Sequence, residues 1–312
     1  MVIDYLKGYC SVEVNPEDRI LTKNELIKEV KGREGVLCML TDTIDEEVFD
    51  ATGPQCRIFA NYAVGYNNID VEAATKRSIL ITNTPGVLDD ATADLAWALL
   101  FAVSRRIVEA DRFTREGKFK SWGPTLFLGR DITGKILGVV GAGRIGSNFA
   151  RKAKAFGMRI LYTSTKPNPQ LEKETGAKFV DKSTLLKQSD FVSLHVPLKA
   201  STHHCIGEKE FKIMKKEAVL INTSRGPVVD EKALVKALKE GEIWGAGLDV
   251  YENEPELEPG LKTLDNVVIL PHIGSATIET RTNMGMIAAR NIVQLFNGKI
   301  PESCVNPEVL KK

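Results

Sequence analysis

Gly141-x-Gly143-x-x-Gly146 stands directly after an apolar run and at the start of an amphipathic one. A first glycine permits a tight turn, a second lets a pyrophosphate approach the backbone, and a third lets helix and strand pack closely. With Arg144 and Ile145 between the glycines, the stretch predicts a dinucleotide cradle whose helix N-terminus favours negative charge. In such cradles an acid at the end of the next strand accepts hydrogen bonds from the adenosine ribose. Here no Asp or Glu occurs between Asp131 and Glu172, and Ser164, Thr165 and Lys166 occupy the expected place. Two hydroxyls can donate to an additional phosphate and an ammonium can neutralise it. The expected cofactor is therefore NADP, entering as NADPH, with NAD as the alternative.

Three further stretches supply groups of a different kind. "INTSRGPVVDEKAL" carries Arg225, "LDVYENEP" carries Glu254 and "ILPHIGSAT" carries His272, each just past an apolar run. Ligands of open parallel sheets bind beyond the carboxyl ends of the strands, which puts all three groups on one rim. A guanidinium can fork onto a carboxylate and polarise a carbonyl oxygen. An imidazole can supply a proton, and a carboxylate beside it would orient the ring and favour its charged form. Such a set suits the reduction of a 2-keto acid. His203 and His204 are adjacent, but no third ligand follows at a plausible spacing, so no metal site is expected.

Short apolar runs at 35–40, 57–62, 79–84, 135–141, 158–163, 191–196, 218–224, 245–250 and 267–272 alternate with helical patterns. The helices are expected at 45–51, 71–77, 144–156, 181–188, 208–215 and 231–240, with longer ones near 92–116 and 277–297. Strand–helix alternation predicts an α/β fold of two doubly wound parallel-sheet domains, Rossmann-type and flavodoxin-like, with a cleft between them. The expected division gives residues 1–95 and 285–312 to a substrate domain and 96–284 to a dinucleotide domain.

Composition narrows the class further. The chain has 312 residues, 43% hydrophobic and 27% charged, with a formal net charge of +1. Those values fit soluble domains with real cores and give a nucleic-acid partner no electrostatic support. The longest apolar run, Leu95–Val103, is nine residues, far short of the roughly 20 needed to span a bilayer. No secretion signal is evident, and five scattered cysteines suit a reducing compartment, so a cytoplasmic enzyme is expected.

Taken together, "NYAVGYNNID", "NTPGVLDDATADLAWALL", "GAGRIG", "HVPL", "INTSRGPVVDEKALVKAL", "AGLDVYENEP" and "PHIGSAT" resemble the D-2-hydroxyacid dehydrogenases over nearly the whole chain. The resemblance is nearest to glyoxylate/hydroxypyruvate reductases. It implies that Arg225 binds substrate, Glu254 partners the acid/base and His272 serves as that acid/base. It implies backbone N–H donors to the substrate carboxylate at Val64 and Gly65. Cofactor contacts are implied at Thr92, Val196, Pro197, Thr223 and Asp249, with Asp249 near the nicotinamide amide. His195 would approach the cofactor through its backbone. Related dimers imply a homodimer in which Trp122 of "W-x-P" reaches the neighbouring active site. Two departures stand out: Lys199 follows "VPL" where Thr is commoner, and the chain opens at a helix where the family usually has a strand. An NAD-linked phosphoglycerate or D-lactate type dehydrogenase and a dinucleotide-sensing corepressor are the alternatives. The missing acid argues against the former, and the complete catalytic trio against the latter.

Overall fold

A computed structural model describes residues 1–17 and 19–311. The chain divides into two compact units: Met1–Leu88 with Ala276–Lys312, and Asp89–Ser275.

In the first unit, α1 (Val2–Lys7) and α2 (Lys23–Val30) precede β1 (Gly35–Cys38), α3 (Glu46–Thr52), β2 (Ile58–Asn61), α4 (Val71–Lys76) and β3 (Leu80–Thr82). The three strands form a parallel sheet in the order β1-β2-β3. Alternate residues serve opposite faces: Phe59 and Ile81 enter one core with α3 and α4, while Ile58, Ala60 and Leu80 enter another with α12 (Ile278–Phe296). The returning C-terminal segment binds the edge of β3, where Asn306 Oδ1 accepts the Ile81 N–H at 2.7 Å.

The second unit starts with α5 (Asp89–Ser104) and α6 (Ile107–Arg115). There follow β4 (Ile136–Val140), α7 (Arg144–Ala153), β5 (Arg159–Thr163), α8 (Pro169–Thr175), β6 (Lys178–Phe179), α9 (Lys182–Gln188) and β7 (Phe191–Leu194). The remainder comprises α10 (Glu208–Ile213), β8 (Val219–Asn222), α11 (Glu231–Glu240), β9 (Gly245–Leu248) and β10 (Val267–Ile269). All seven strands are parallel, in the order β10-β9-β8-β7-β4-β5-β6. Leu137, Val139, Phe191, Val219 and Ile221 pack on one face with Trp97 and Phe149, and Val140, Val192, Leu194 and Leu220 on the other. Burial on both faces explains why these strands read as unbroken apolar runs. The order reverses between β4 and β7, and ligand sites in this topology open at that point.

Two expectations need correction. The stretch 92–116 is two helices, because Arg106 takes a left-handed φ of 53° and Arg130 N–H satisfies the Ser104 carbonyl at 2.8 Å. The expected domain boundaries at 95/96 and 284/285 fall inside α5 and α12; the divisions lie earlier, at 88/89 and 275/276. Each helix packs along its length on one unit, α5 on α7, β8 and β9, and α12 on α1 and β2. α2 was not anticipated, although Thr22 and Glu25 spell a capping box at its start.

Candidate active site

The glycine loop between β4 and α7 fits a dinucleotide on steric grounds. Gly141 has a φ of 99°, and a Cβ there would lie 2.7 Å from the His195 carbonyl oxygen. At Gly146 a Cβ would sit 2.0 Å from Gly141 O, so any side chain would force the turn apart. Around Gly143 nothing lies within 4 Å of an added Cβ, which leaves the backbone open to a large anion. The loop thus closes inward on β7 and opens outward at the first turn of α7. A groove of about 440 Å³ begins there, lined by Asp89, Ala142, Gly143, Arg144, Ser147, Asn148, Arg151 and Asn168.

Beneath the loop, His195 Nε2 lies 2.8 Å from Ser193 Oγ, and its ring stands 5.0 Å from Phe149. Burial pushes this imidazole down to about 3, so near neutral pH it is uncharged packing. Asn168 braces the outer side, donating to Ala142 O and Ser147 Oγ, both at 3.1 Å, while capping α8. Asp89, Asn148 and Asn168 were not anticipated; the Asn168-Pro169 helix start was the one local signal.

Ser164, Thr165 and Lys166 follow β5 at its carboxyl end, with Thr165 and Lys166 exposed. None of the three lines the groove, and among the described residues no ion pair engages Lys166. Val196 and Pro197 follow β7 beside the loop: the Val196 side chain would come within 2.8 Å of a Cβ at Gly141. Among the described residues Thr223 Oγ1, past β8, is buried without a hydrogen-bond partner, which fits a hydroxyl able to bond a ligand atom.

At the ends of β8, β9 and β10 the charged groups assemble. Glu254 Oε2 lies 2.8 Å from His272 Nδ1, and Glu254 Oε1 accepts the Tyr251 N–H at 2.9 Å. Burial is the largest single influence on Glu254 and opposes its charge. The His272 hydrogen bond, the His272 charge, the Tyr251 N–H and nearby Arg225 together outweigh it and hold the carboxyl below its usual range. With Nδ1 engaged, Nε2 is the ring nitrogen left for proton transfer. His272 has a left-handed φ of 55°, an unusual setting for a side chain of this size. The turn after it is fixed by Asp249, whose carboxylate accepts Ile273 N–H and Gly274 N–H, each at 2.7 Å. Thr92 packs at the same corner, within 3.6 Å of a Cβ placed on Gly274.

Arg225 is held by its own loop. Asn222 Nδ2 donates to the Arg225 carbonyl at 3.0 Å, and Arg225 Nη1 donates to Ser224 O at 2.7 Å. The next residue, Gly226, lies so close to the Tyr251 backbone that a Cβ would be 1.8 Å from its carbonyl carbon. That contact locks the Arg225 loop against the loop carrying Glu254. Burial depresses the guanidinium, with Glu254 opposing, yet its basicity is so high that it stays charged. The rim thus carries Arg225, Glu254, His272 and Asp249 on the loops past three neighbouring strands of one sheet.

Val64, Gly65 and Trp122 are not part of that rim. Val64 and Gly65 follow β2 in the first unit, where Asn83 and Asn61 side chains bind their carbonyls at 2.8 and 2.9 Å. Among the described residues neither N–H has an acceptor. Trp122 is 80% exposed. The two histidines at 203 and 204 are not simply surface residues: His204 Nε2 lies 2.5 Å from Glu252 Oε1, so a third donor comes from a distant loop.

Comparisons with known proteins identify the family. Residues 97–274 match the model of the D-isomer specific 2-hydroxyacid dehydrogenase NAD binding domain. The chain is 54% identical over 313 residues to a glyoxylate reductase of Thermococcus kodakarensis, covering 99% of this chain and 94% of that one. It is similar to the crystal structure of the TT0316 protein of Thermus thermophilus (TM-score 0.91, 44% identity, 97% and 96% covered). It also resembles an NADPH-dependent glyoxylate/hydroxypyruvate reductase of Sinorhizobium meliloti solved with NADP and malonate (TM-score 0.81, 34% identity, 87% and 83% covered). Across nearly its full length, therefore, the chain belongs to the D-isomer specific 2-hydroxyacid dehydrogenase family, enzymes that work with a nicotinamide dinucleotide.

Proposed function

We propose that this enzyme reduces a small 2-keto acid, glyoxylate or hydroxypyruvate, to the D-2-hydroxy acid with NADPH. The observation carrying the proposal is the 2.8 Å His272–Glu254 pair beside Arg225 on a rim that begins at a dinucleotide cradle. A reduced nicotinamide, when bound, supplies the hydride that adds to the carbonyl carbon. Arg225 forks onto the substrate carboxylate and draws charge toward the carbonyl oxygen. His272 gives its Nε2 proton to that oxygen as it becomes a hydroxyl, and Glu254 holds the ring in place through Nδ1. Val64 and Gly65 offer their free N–H groups to the carboxylate. Thr92, Thr223, Val196, Pro197 and Asp249 border the cofactor.

NADPH is favoured because Ser164, Thr165 and Lys166 stand where an acid would repel the additional phosphate, and among the described residues no ion pair engages Lys166. The similarity to a reductase solved with NADP points the same way. Turnover of a panel of 2-keto acids with NADPH and with NADH tests both parts. No turnover of any 2-keto acid overturns the reaction; a strong NADH preference overturns the reading of Ser164–Lys166.

The chain is further proposed to act as a homodimer. Ile107, Phe119, Trp122 and Leu128 are all at least half exposed on α6 and the segment after it, apolar side chains for a partner surface to cover. Trp122 would reach the partner's substrate. Sedimentation equilibrium of the wild type and Trp122→Ala checks this: a monomeric wild type ends the proposal. Among the described residues no helix is long and apolar enough to cross a membrane.

A further inference from the structure

Beside the rim residue Glu254, the connection between β7 and α10 brings two imidazoles to the side of the β9–β10 loop. The ligand-capable atoms of His203, His204 and Glu252 all lie within 4.8 Å of one another. The His203 and His204 rings stack with centroids 4.0 Å apart, and His204 Nε2 meets Glu252 Oε1 at 2.5 Å.

Both sides of the cluster are anchored by backbone. His204 N–H donates to Pro227 O at 2.8 Å, and Ile206 bridges to Val229, so the histidine segment is tied to the turn after Arg225. Glu252 N–H donates to Glu231 Oε1 at 2.8 Å, which fixes the carboxylate's base. His204 adopts a left-handed φ of 48° in making this contact.

We propose that His203, His204 and Glu252 form a binding site for one divalent transition-metal ion of the zinc type. Ligand atoms about 2 Å from zinc at tetrahedral angles stand roughly 3.3 Å apart. To reach that value the 2.5 Å His204–Glu252 contact opens by about 0.8 Å and the exposed His203 ring turns toward the pair, with a metal replacing the proton between His204 and Glu252. Two imidazoles and one carboxylate select zinc, nickel or copper over magnesium or calcium, which prefer all-oxygen shells. Three protein ligands leave a position for water. The ion would clip the segment after Val196 and Pro197 to the loop that also carries Glu254, stiffening both.

The test uses untagged, chelator-stripped full-length protein and zinc ion alone, titrated in competition with a chromophoric chelator. One equivalent should bind, and zinc should raise the thermal midpoint. His203→Gln, His204→Asn and Glu252→Gln should each weaken binding at least about tenfold and abolish the zinc-dependent rise. Asparagine is chosen at 204 because it tolerates the left-handed backbone, and unchanged metal-free unfolding curves show that each variant is folded. His272→Ala serves as the competing arm. Loss of zinc binding there, with retention in the three variants, assigns the ion to the active site and overturns the proposal. Absence of a one-equivalent uptake by the wild type, or equal competition by magnesium, overturns it as well.

Discussion

The two ends of the proposed ligand site on the seven-stranded sheet are built from different materials. At the cradle between β4 and α7 the work falls to main chain: open space at Gly143, close packing at Gly146, and a helix start that presents N–H groups. At the rim past β8, β9 and β10 it falls to side chains, Arg225, Glu254 and His272, each steadied by a second contact. Backbone donors bind a phosphate the same way before and after reaction, so the cradle contributes uniform binding. A proton donor aimed at a carbonyl oxygen acts only as charge develops there, so the rim should govern turnover.

That division can be broken from either side. The largest effect is expected at His272: His272→Ala should lower kcat by about 10²–10⁴, with little change in NADPH affinity, read by steady-state kinetics and fluorescence titration. A near-normal kcat near neutral pH would refute the assigned role. Arg225→Lys keeps the charge and loses the fork, and should cost roughly 10² in kcat/KM for the keto acid. If KM for NADPH moved instead, the boundary between rim and cradle would be misplaced. At the cradle's outer end, Lys166→Ala should raise KM for NADPH about tenfold and leave NADH kinetics unchanged, because only the former carries the extra phosphate. An equal effect on both cofactors would make Lys166 a general surface charge.

The smallest effect sharpens what lies under the cradle. His195 is held neutral by burial, with its imidazole pushed from 6.5 to about 3. Between those values the unfolded chain binds a proton that the folded chain refuses, so stability should fall as pH drops below about 6.5, by up to about 1.4 kcal/mol per pH unit. Urea unfolding of wild type and His195→Gln at about pH 7 and about pH 5 isolates this contribution, since the variant lacks the titrating ring. Identical pH slopes would mean that the ring is hydrated and the cradle's floor is open.

The same contrast explains what the sequence made legible. The cradle is written locally: three glycines, a strand before and a helix after all fall between Ile136 and Ala153, and steric necessity keeps them in register. Arg225, Glu254 and His272 are far apart in sequence, but each follows an apolar strand, and parallel topology carries all three to one edge. Contacts that depend on loop paths were not legible. Asn168 reaching Ala142 and Glu252 reaching His204 join residues whose spacing carries no period. The break at Arg106 is equally hidden, because "SRRIVEA" is a sound helical sequence, while the left-handed Arg106 backbone and the returning Arg130 N–H mark the break only in the structure. β6 escaped notice for a simpler reason: it is two exposed residues long, with no buried face to pattern.

The backbone twist at His272 bears on how an inactive form of this enzyme should be made. A β-branched replacement there would unsettle the whole tip through steric conflict, and a dead catalyst would then say nothing about protons. Asparagine shares the tolerance for that twist, cannot serve as an acid near neutrality, and so offers a silenced enzyme whose scaffold is preserved for trapping ligands.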